Sequence, residues 1–301
     1  DYPIATSLTL PAGCGGNVTI RGAGKGTKIH STANVAIFSF TTKSGVHVRD
    51  LYLKNDVAPA SASYGVYFLG GIGNSVSHCW LEDLYNGVWI EGVAGNLATD
   101  YVVEANQLDD CEYALFLRDT ARYVSRVALA NNVIYGRATG FTGIVVQLCD
   151  KIAITGNVVD DVGGNGIDSQ ANRTTITGNT VYNAAGDGIV NDNGSRVTIS
   201  GNQVDDSGSE GIQNSGGGAY PVNITGNQVS ISSGYGIFND SGWTLNISGN
   251  NVYDPGTIGI YNSGSWGVQI SDNTIYSSGN EGIYNVGSYV TISTNTMYSI
   301  R

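Results

Sequence analysis

The sequence predicts an all-β chain wound as a right-handed parallel β-helix, and three observations carry that expectation. A Gly-Ile pair recurs at Gly143, Gly166, Gly188, Gly211, Gly236, Gly259 and Gly282. A Gly-Asn pair, or a close variant, recurs at Asn132, Asn157, Asn179, Asn202, Asn227, Asn250, Asn273 and Asn295. Both series advance by 22 to 25 residues and interleave without drifting, so each period is one structural unit. Between the markers, short runs of Val, Ile, Thr and Tyr stand where strands prefer them, and helix formers are sparse.

One period shows why the chain coils. In Val197-Thr198-Ile199-Ser200, a bend at Gly201-Asn202, then Gln203-Val204-Asp205, the apolar residues Val197, Ile199 and Val204 face in and the polar ones face out. A second short strand carries Ile212 inward, and Gly and Asn at the corners tolerate the left-handed backbone of sharp turns. Stacked about 4.8 Å apart, identical residues form columns. The Gly-Asn asparagines then stack as an amide ladder. A second ladder runs through Asn191, Asn214, Asn239, Asn262 and Asn285, because buried amides must be paired. In the less regular first half, Val18–Arg21, Val46–Arg49, 76–79 and 101–104 fit comparable strand positions. The count is about eleven or twelve coils. We read residues 1–301 as one β-helix domain, with irregular coils over 1–151 and the regular Asn/Gly-rich repeat over 152–301.

Composition narrows the partners. The net charge is −11, with −2 on residues 1–151 and −9 on residues 152–301. A surface this poor in Lys and Arg excludes nucleic acid as a partner, and no apolar run is long enough to span a membrane. The balance suits an extracellular, cell-surface or virion-surface protein. Cys14, Cys79, Cys111 and Cys149 are too few for a disulfide framework and read as buried free thiols. The opening Asp1 suggests a processed or excerpted chain.

The repeats resemble those of the pectin-lyase-like superfamily of right-handed parallel β-helices. The segment from Tyr2-Pro3-Ile4 through Leu8-Thr9-Leu10-Pro11, with Asn17-Val18-Thr19-Ile20-Arg21-Gly22-Ala23-Gly24-Lys25-Gly26-Thr27, resembles the first coil of the pectate-lyase-like module of phage tailspikes and secreted carbohydrate enzymes. The resemblance implies the fold. It leaves the reaction open, because that superfamily holds lyases, hydrolases, epimerases and non-catalytic adhesins. The capping helix and short acidic segment that usually precede this coil are missing, and the last coil lacks an obvious cap. More chain or another subunit is expected to cover those edges.

Chemistry is expected on two columns of the first half. The outward column after the Gly-Asn corner reads Lys54, Glu82, Asp109, Tyr135, and its neighbour reads Asn55, Asp83, Asp110, Gly136. Glu82, Asp83, Asp109 and Asp110 should crowd together, so one carboxyl should titrate high or the group should hold a cation. Such carboxylates suit glycoside hydrolysis, with Glu82, Asp109 and Asp110 as catalytic candidates; in a uronide lyase, Arg49, Lys54 and Arg118 would supply a base or charge neutraliser. Alternatively Asp83 and Asp110 bind Ca²⁺, the one cofactor the sequence suggests. The plain reading is that such acid pairs are solvated turns, since Asp160-Asp161 and Asp205-Asp206 arise within the regular repeat.

After Gly-Ile the outward column reads Tyr67, Trp89, Phe116, an exposed aromatic strip of the kind that stacks on sugar rings. Arg118 and Glu104 complete the expected substrate contacts. His30, His47 and His78 lack metal spacing, and residues 22–26 read as a turn, not a phosphate loop. Asn-x-Ser/Thr sequons, such as that at Asn239, follow from the repeat's composition. Two functions stand open: a polysaccharide-binding and polysaccharide-degrading β-helix of lyase or hydrolase type, or a structural stalk, filament or adhesin module. Either is compatible with a homotrimer or with end-to-end or lateral self-assembly.

Overall fold

The computed structural model describes residues 1–11, 14, 16–119, 123–136, 140–215, 220–240 and 242–300. The chain divides into two compact units, Asp1–Ala153 and Ile154–Arg301, and each is a solenoid of three parallel sheets. In the second unit one turn contributes Gln203–Ser207 to the first sheet, Ile212–Ser215 to the second and Val222–Thr225 to the third. In the first unit the corresponding strands of one turn are Trp80–Glu82, Asn86–Gly92 and Ala98–Glu104. Five strands in the first unit and six in the second build the second-sheet face, which makes about eleven turns. Among the described residues the one helical segment is the 3₁₀ turn Gly24–Gly26, so the expected turn at residues 22–26 is borne out.

The interior is what period-two patterning requires. Val197, Ile199, Val204 and Ile212 are fully buried, each such side chain contributing about 1.5–3 kcal/mol of burial free energy. The Gly of each Gly-Ile pair is there for close approach. A Cβ on Gly211 would stand 2.2 Å from Val229 Cγ1 and 2.7 Å from the Gly236 carbonyl oxygen. At the corner before it, Gly201 has φ 61°, so it is this Gly that takes the left-handed backbone, and Asn202 beside it is buried.

Both amide ladders form. In the first, the Nδ2 of Asn179, Asn202, Asn227, Asn250 and Asn273 each donates to the next Oδ1 at 2.9–3.0 Å. Each also donates backward to a backbone carbonyl, as Asn202 does to Ile176 at 2.9 Å. In the second, Asn191, Asn214, Asn239 and Asn262 each donate to the next amide at 2.6 Å. Asn239 is completely buried, so its sequon is a ladder rung and not a glycan acceptor.

The first unit departs from regularity in instructive ways. Val46 pairs with Val18 and Val103 with Val76, but Val76 pairs with Val48, not Val46. The expected strand at 76–79 is therefore placed two residues late in register, and the true strand is Ser75–Ser77. Buried Asn74 stands opposite Val46, accepting its N–H at 2.8 Å and donating to the Tyr101 hydroxyl at 2.7 Å. A polar residue in an inward position hid the register. Cys79 occupies the ladder position ahead of Asn106, its N–H donating to Asn106 Oδ1 at 3.0 Å. Cys79, Cys111 and Cys149 are free and buried, whereas Cys14 is only half-buried. Burial pushes the Cys79 thiol up to about 12, which keeps it inert.

Candidate functional site

The second sheet of the first unit presents the aromatic strip. Its strands Tyr64–Leu69, Asn86–Gly92 and Tyr113–Asp119 pair in the register Tyr67–Trp89–Phe116, as the column analysis expects. Val66, Val88 and Leu115 point into the core, so their neighbours must point out. The Trp89 ring lies 5.4 Å from both Tyr67 and Phe116. Tyr64 stands edge-on to Trp89 at 4.8 Å, and Tyr113 stacks on Phe116 at 5.2 Å. Two residues further along each strand, Glu91 and Arg118 align. The Tyr67 hydroxyl donates to Glu91 at 2.6 Å. Burial, then that carboxylate, pushes the Tyr67 phenol well above its ordinary range.

A groove of about 270 Å³ opens on this face, lined by Tyr85, Asn86, Trp89, Tyr113, Phe116 and Arg118 together with Ser61 and Gln147. Asn86 is only 1% exposed, yet neither its Oδ1 nor its Nδ2 has a partner within the chain, and the Trp89 indole N–H is unpaired too. The cause is register. Asn86 sits in a column between Tyr64 and Tyr113, with no amide above or below it. Buried polar groups without partners are costly, so this amide is available to a molecule seated in the groove.

The acidic column is built as expected but filled differently. Lys54, Glu82, Asp109 and Tyr135 align on the first sheet. Lys54 Nζ bonds Glu82 Oε1 at 2.6 Å and Asp83 Oδ2 at 2.7 Å, and the Tyr52 hydroxyl also donates to Glu82. Burial alone would raise the Glu82 carboxyl, but Lys54 and Tyr52 outweigh it and hold it below the ordinary value. The cation demanded by the crowded acids is thus the protein's own ammonium. Burial would lower Lys54, but its two carboxylate partners carry it well above the usual lysine range, so it is poorly suited to act as a base. Asp83 and Asp110 both take left-handed corners, at φ 55° and 50°, as do Asp161 and Asp206 at 56°. Asp is among the few side chains that accept that conformation readily, which accounts for the second member of each acid pair. Among the described residues, no group of three or more His, Cys, Asp or Glu stands where it could hold a metal ion.

The expected site residues therefore lie on three faces. Tyr67, Trp89, Phe116 and Arg118 come together on the second sheet. Lys54, Glu82 and Asp109, with Asp110 at the corner beyond, lie on the first. Arg49 and Glu104 share a column of the third sheet, where Arg49 bonds Asp50 at 3.1 Å. Sequence reasoning missed Tyr85, Asn86, Glu91 and Tyr113. The signal was present in the aromatic residues flanking each Gly-Ile-like strand start.

The second unit carries its own titratable pair. The Asp187 carboxylate accepts the Glu210 N–H at 2.9 Å, and burial, then the Glu210 carboxylate, raises Asp187 to about 6.

Residues 124–256 match the family model described as a right-handed β-helix region. The chain is a right-handed parallel β-helix. Among solved structures, this β-helix is similar to the mannuronan C-5 epimerase AlgE4 A-module of Azotobacter vinelandii, with a TM-score of 0.72 and 12% identity over 91% of this chain and 88% of that one. A mutant of the periplasmic alginate epimerase AlgG gives 0.69 and 14% over 93% and 74%. The catalytic unit of the thermostable GH87 α-1,3-glucanase from Streptomyces thermodiastaticus strain HF3-3 gives 0.65 and 21% over 100% and 61%. At such identities the likeness is one of fold. No curated protein matches this sequence.

Proposed function

We propose that this β-helix binds a polysaccharide outside the cytoplasm, along the aromatic groove of its first unit. The observation that carries the proposal is the buried, unpartnered Asn86 amide at a groove walled by Trp89, Tyr113 and Phe116. Aromatic faces suit the C–H faces of sugar rings, and an amide offering one acceptor and two donors matches a sugar hydroxyl, which both donates and accepts. Structural neighbours named as an alginate epimerase, a mannuronan epimerase and an α-1,3-glucanase support the substrate class. The periplasmic neighbour and the acidic composition support the location, and among the described residues no helix is long and apolar enough to cross a membrane.

Degradation of the bound chain is part of the same reading. Tyr67 and Glu91, 2.6 Å apart, stand beside Trp89 and Arg118 of the groove and form a pair able to exchange a proton with a sugar bound there, and Arg118 can oppose a uronate carboxylate. Incubation with alginate, pectate and α-1,3-glucan, followed by product analysis, separates the chemistries. An unsaturated uronide marks a lyase, new reducing ends alone a hydrolase, and retention without products a binding module. Retention should fall at least tenfold in Trp89→Ala and in Asn86→Leu; unchanged retention in both would sink the proposal. Loss of turnover in Asp109→Asn, with retention intact, would move the chemistry to the Glu82–Asp109 column.

One observation favours the structural reading. Tyr253, Tyr276 and Tyr298 form an exposed ladder on the second unit, with rings 6.1 and 4.8 Å apart. A concentration-dependent trimer that dissociates in Tyr276→Ser would support a stalk or adhesin.

A further inference from the structure

We infer that Trp243, Trp266 and Tyr289 of the second unit form a separate platform for an uncharged glycan chain, a site beyond the groove of the first unit. The strands Trp243–Ser248 and Trp266–Ser271 pair in register, Trp243 against Trp266 and Leu245 against Val268. Strand alternation would send Trp243, two residues before inward Leu245, into the core. It does not go there. A left-handed bend at Thr244, φ 61°, and its counterpart at Gly267, φ 69°, turn both indoles outward, leaving them 58% and 50% exposed. Leu245, Ile247, Val268 and Ile270 already fill the interior, so the indoles are not needed by the core.

The rings suit a saccharide. Trp243 and Trp266 are nearly parallel, 18° apart, with centroids at 5.9 Å, and Tyr289 follows at 5.0 Å. Parallel rings so far apart are slipped past each other, as offset stacks are, and each leaves part of its face open. The spacing along the row is comparable to the length of one pyranose unit. The surface between the rings is completed by Thr244 and Gly267 alone, without a charged side chain. The half of the sequence that carries it has a net charge of −9. That balance repels uronates and favours a neutral glycan, whose apolar faces need only stacking.

The test uses the full chain and calorimetric titration with glucohexaoses of α-1,3, β-1,3 and β-1,4 linkage, beside a mannuronate hexamer. Four proteins are compared: wild type, the double variants Trp243→Ala/Trp266→Ala and Trp243→Tyr/Trp266→Tyr, and Tyr182→Ser, which changes an exposed tyrosine of a different sheet, each checked for an unchanged melting temperature. At least one neutral hexamer should bind. The double alanine variant should weaken that binding by about tenfold or more, Tyr182→Ser should leave it intact, and Trp243→Tyr/Trp266→Tyr should recover part of it. The inference is overturned if no neutral hexamer binds or if the double alanine variant binds as wild type does. It is equally overturned if Tyr182→Ser weakens the binding as much as the double alanine variant does, or if the double alanine variant changes only the sedimenting mass, which would mark a self-association surface. Failure of the first groove instead reads out as unchanged retention in Trp89→Ala, so the two readings fail separately.

Discussion

In the second unit, the residue after each Gly-Asn corner glycine is an Asn whose amide finds an identical amide one turn on. In the first unit the matching position holds Cys79 before the ladder starts at Asn106. On the second sheet the contrast is sharper. Asn214 sits between Asn191 and Asn239 and is satisfied by stacking, whereas Asn86 sits between two tyrosines and is not. The same side chain is scaffold where its column repeats it and a binding group where its column isolates it. Repetition, then, is what removes polar groups from availability.

That contrast can be broken most forcefully at the Gly-Ile column. Gly211→Ala should destabilise by about 3 kcal/mol or more, because backbone and Val229 leave no room for the methyl. The first unit already carries Ala114 in the equivalent column, so Ala114→Gly should cost about 1 kcal/mol or less in urea unfolding. Next come the ladders. Asn227→Ala removes four hydrogen bonds, two accepted and two donated, and should cost about 2–3 kcal/mol. Asn106→Ala, at the head of its ladder, should cost less by about 1 kcal/mol, since the residue ahead of it is Cys79 and offers no side-chain amide. Equal losses would show that the ladder does not act as a chain.

The two units should also respond oppositely to pH. Glu82 in the first is held below its ordinary pKa, so its contribution is present at neutral pH and lost as acid protonates it. Asp187 in the second is raised from 3.8 to about 6, so the folded form binds its proton more tightly. That contribution is complete below about pH 4 and disappears as the pH climbs through 6. Hydrogen exchange resolved by segment should therefore show the second unit better protected at pH 4.5 than at pH 7. Asp187→Asn should flatten this response, and an unchanged slope would remove Asp187 as its source. Of the two glycine-to-alanine changes the smaller effect is expected at Gly201→Ala, where the added methyl meets open space and only the left-handed backbone opposes it, at about 1–2 kcal/mol.

Much of this was legible in the sequence because a solenoid converts linear spacing into register. The columns Lys54–Glu82–Asp109 and Tyr67–Trp89–Phe116 follow from counting between markers, as do both ladders of the second unit. Counting failed where one residue broke alternation. Asn74 in an inward place displaced the reading of 76–79 by two residues, and counting gives no sign of the bend at Thr244 that turns Trp243 outward. Charge partners were harder still. The acids were visible as a cluster, but that Lys54 would lie between Glu82 and Asp83 depends on side-chain reach that spacing does not encode. Asn86 was hidden for a different reason, since an Asn in an Asn-rich repeat carries no mark of its own until its neighbours are seen to be tyrosines.

The amide ladder has a direction: every rung gives to the turn after it and receives from the turn before. A whole period added or deleted between two rungs restores each donor to an acceptor, whereas one altered rung strands groups on both sides. Changes in the number of turns should then be tolerated more easily than changes within a turn. Length becomes a freely adjustable dimension of this molecule, set by copying a period and not by redesigning the core.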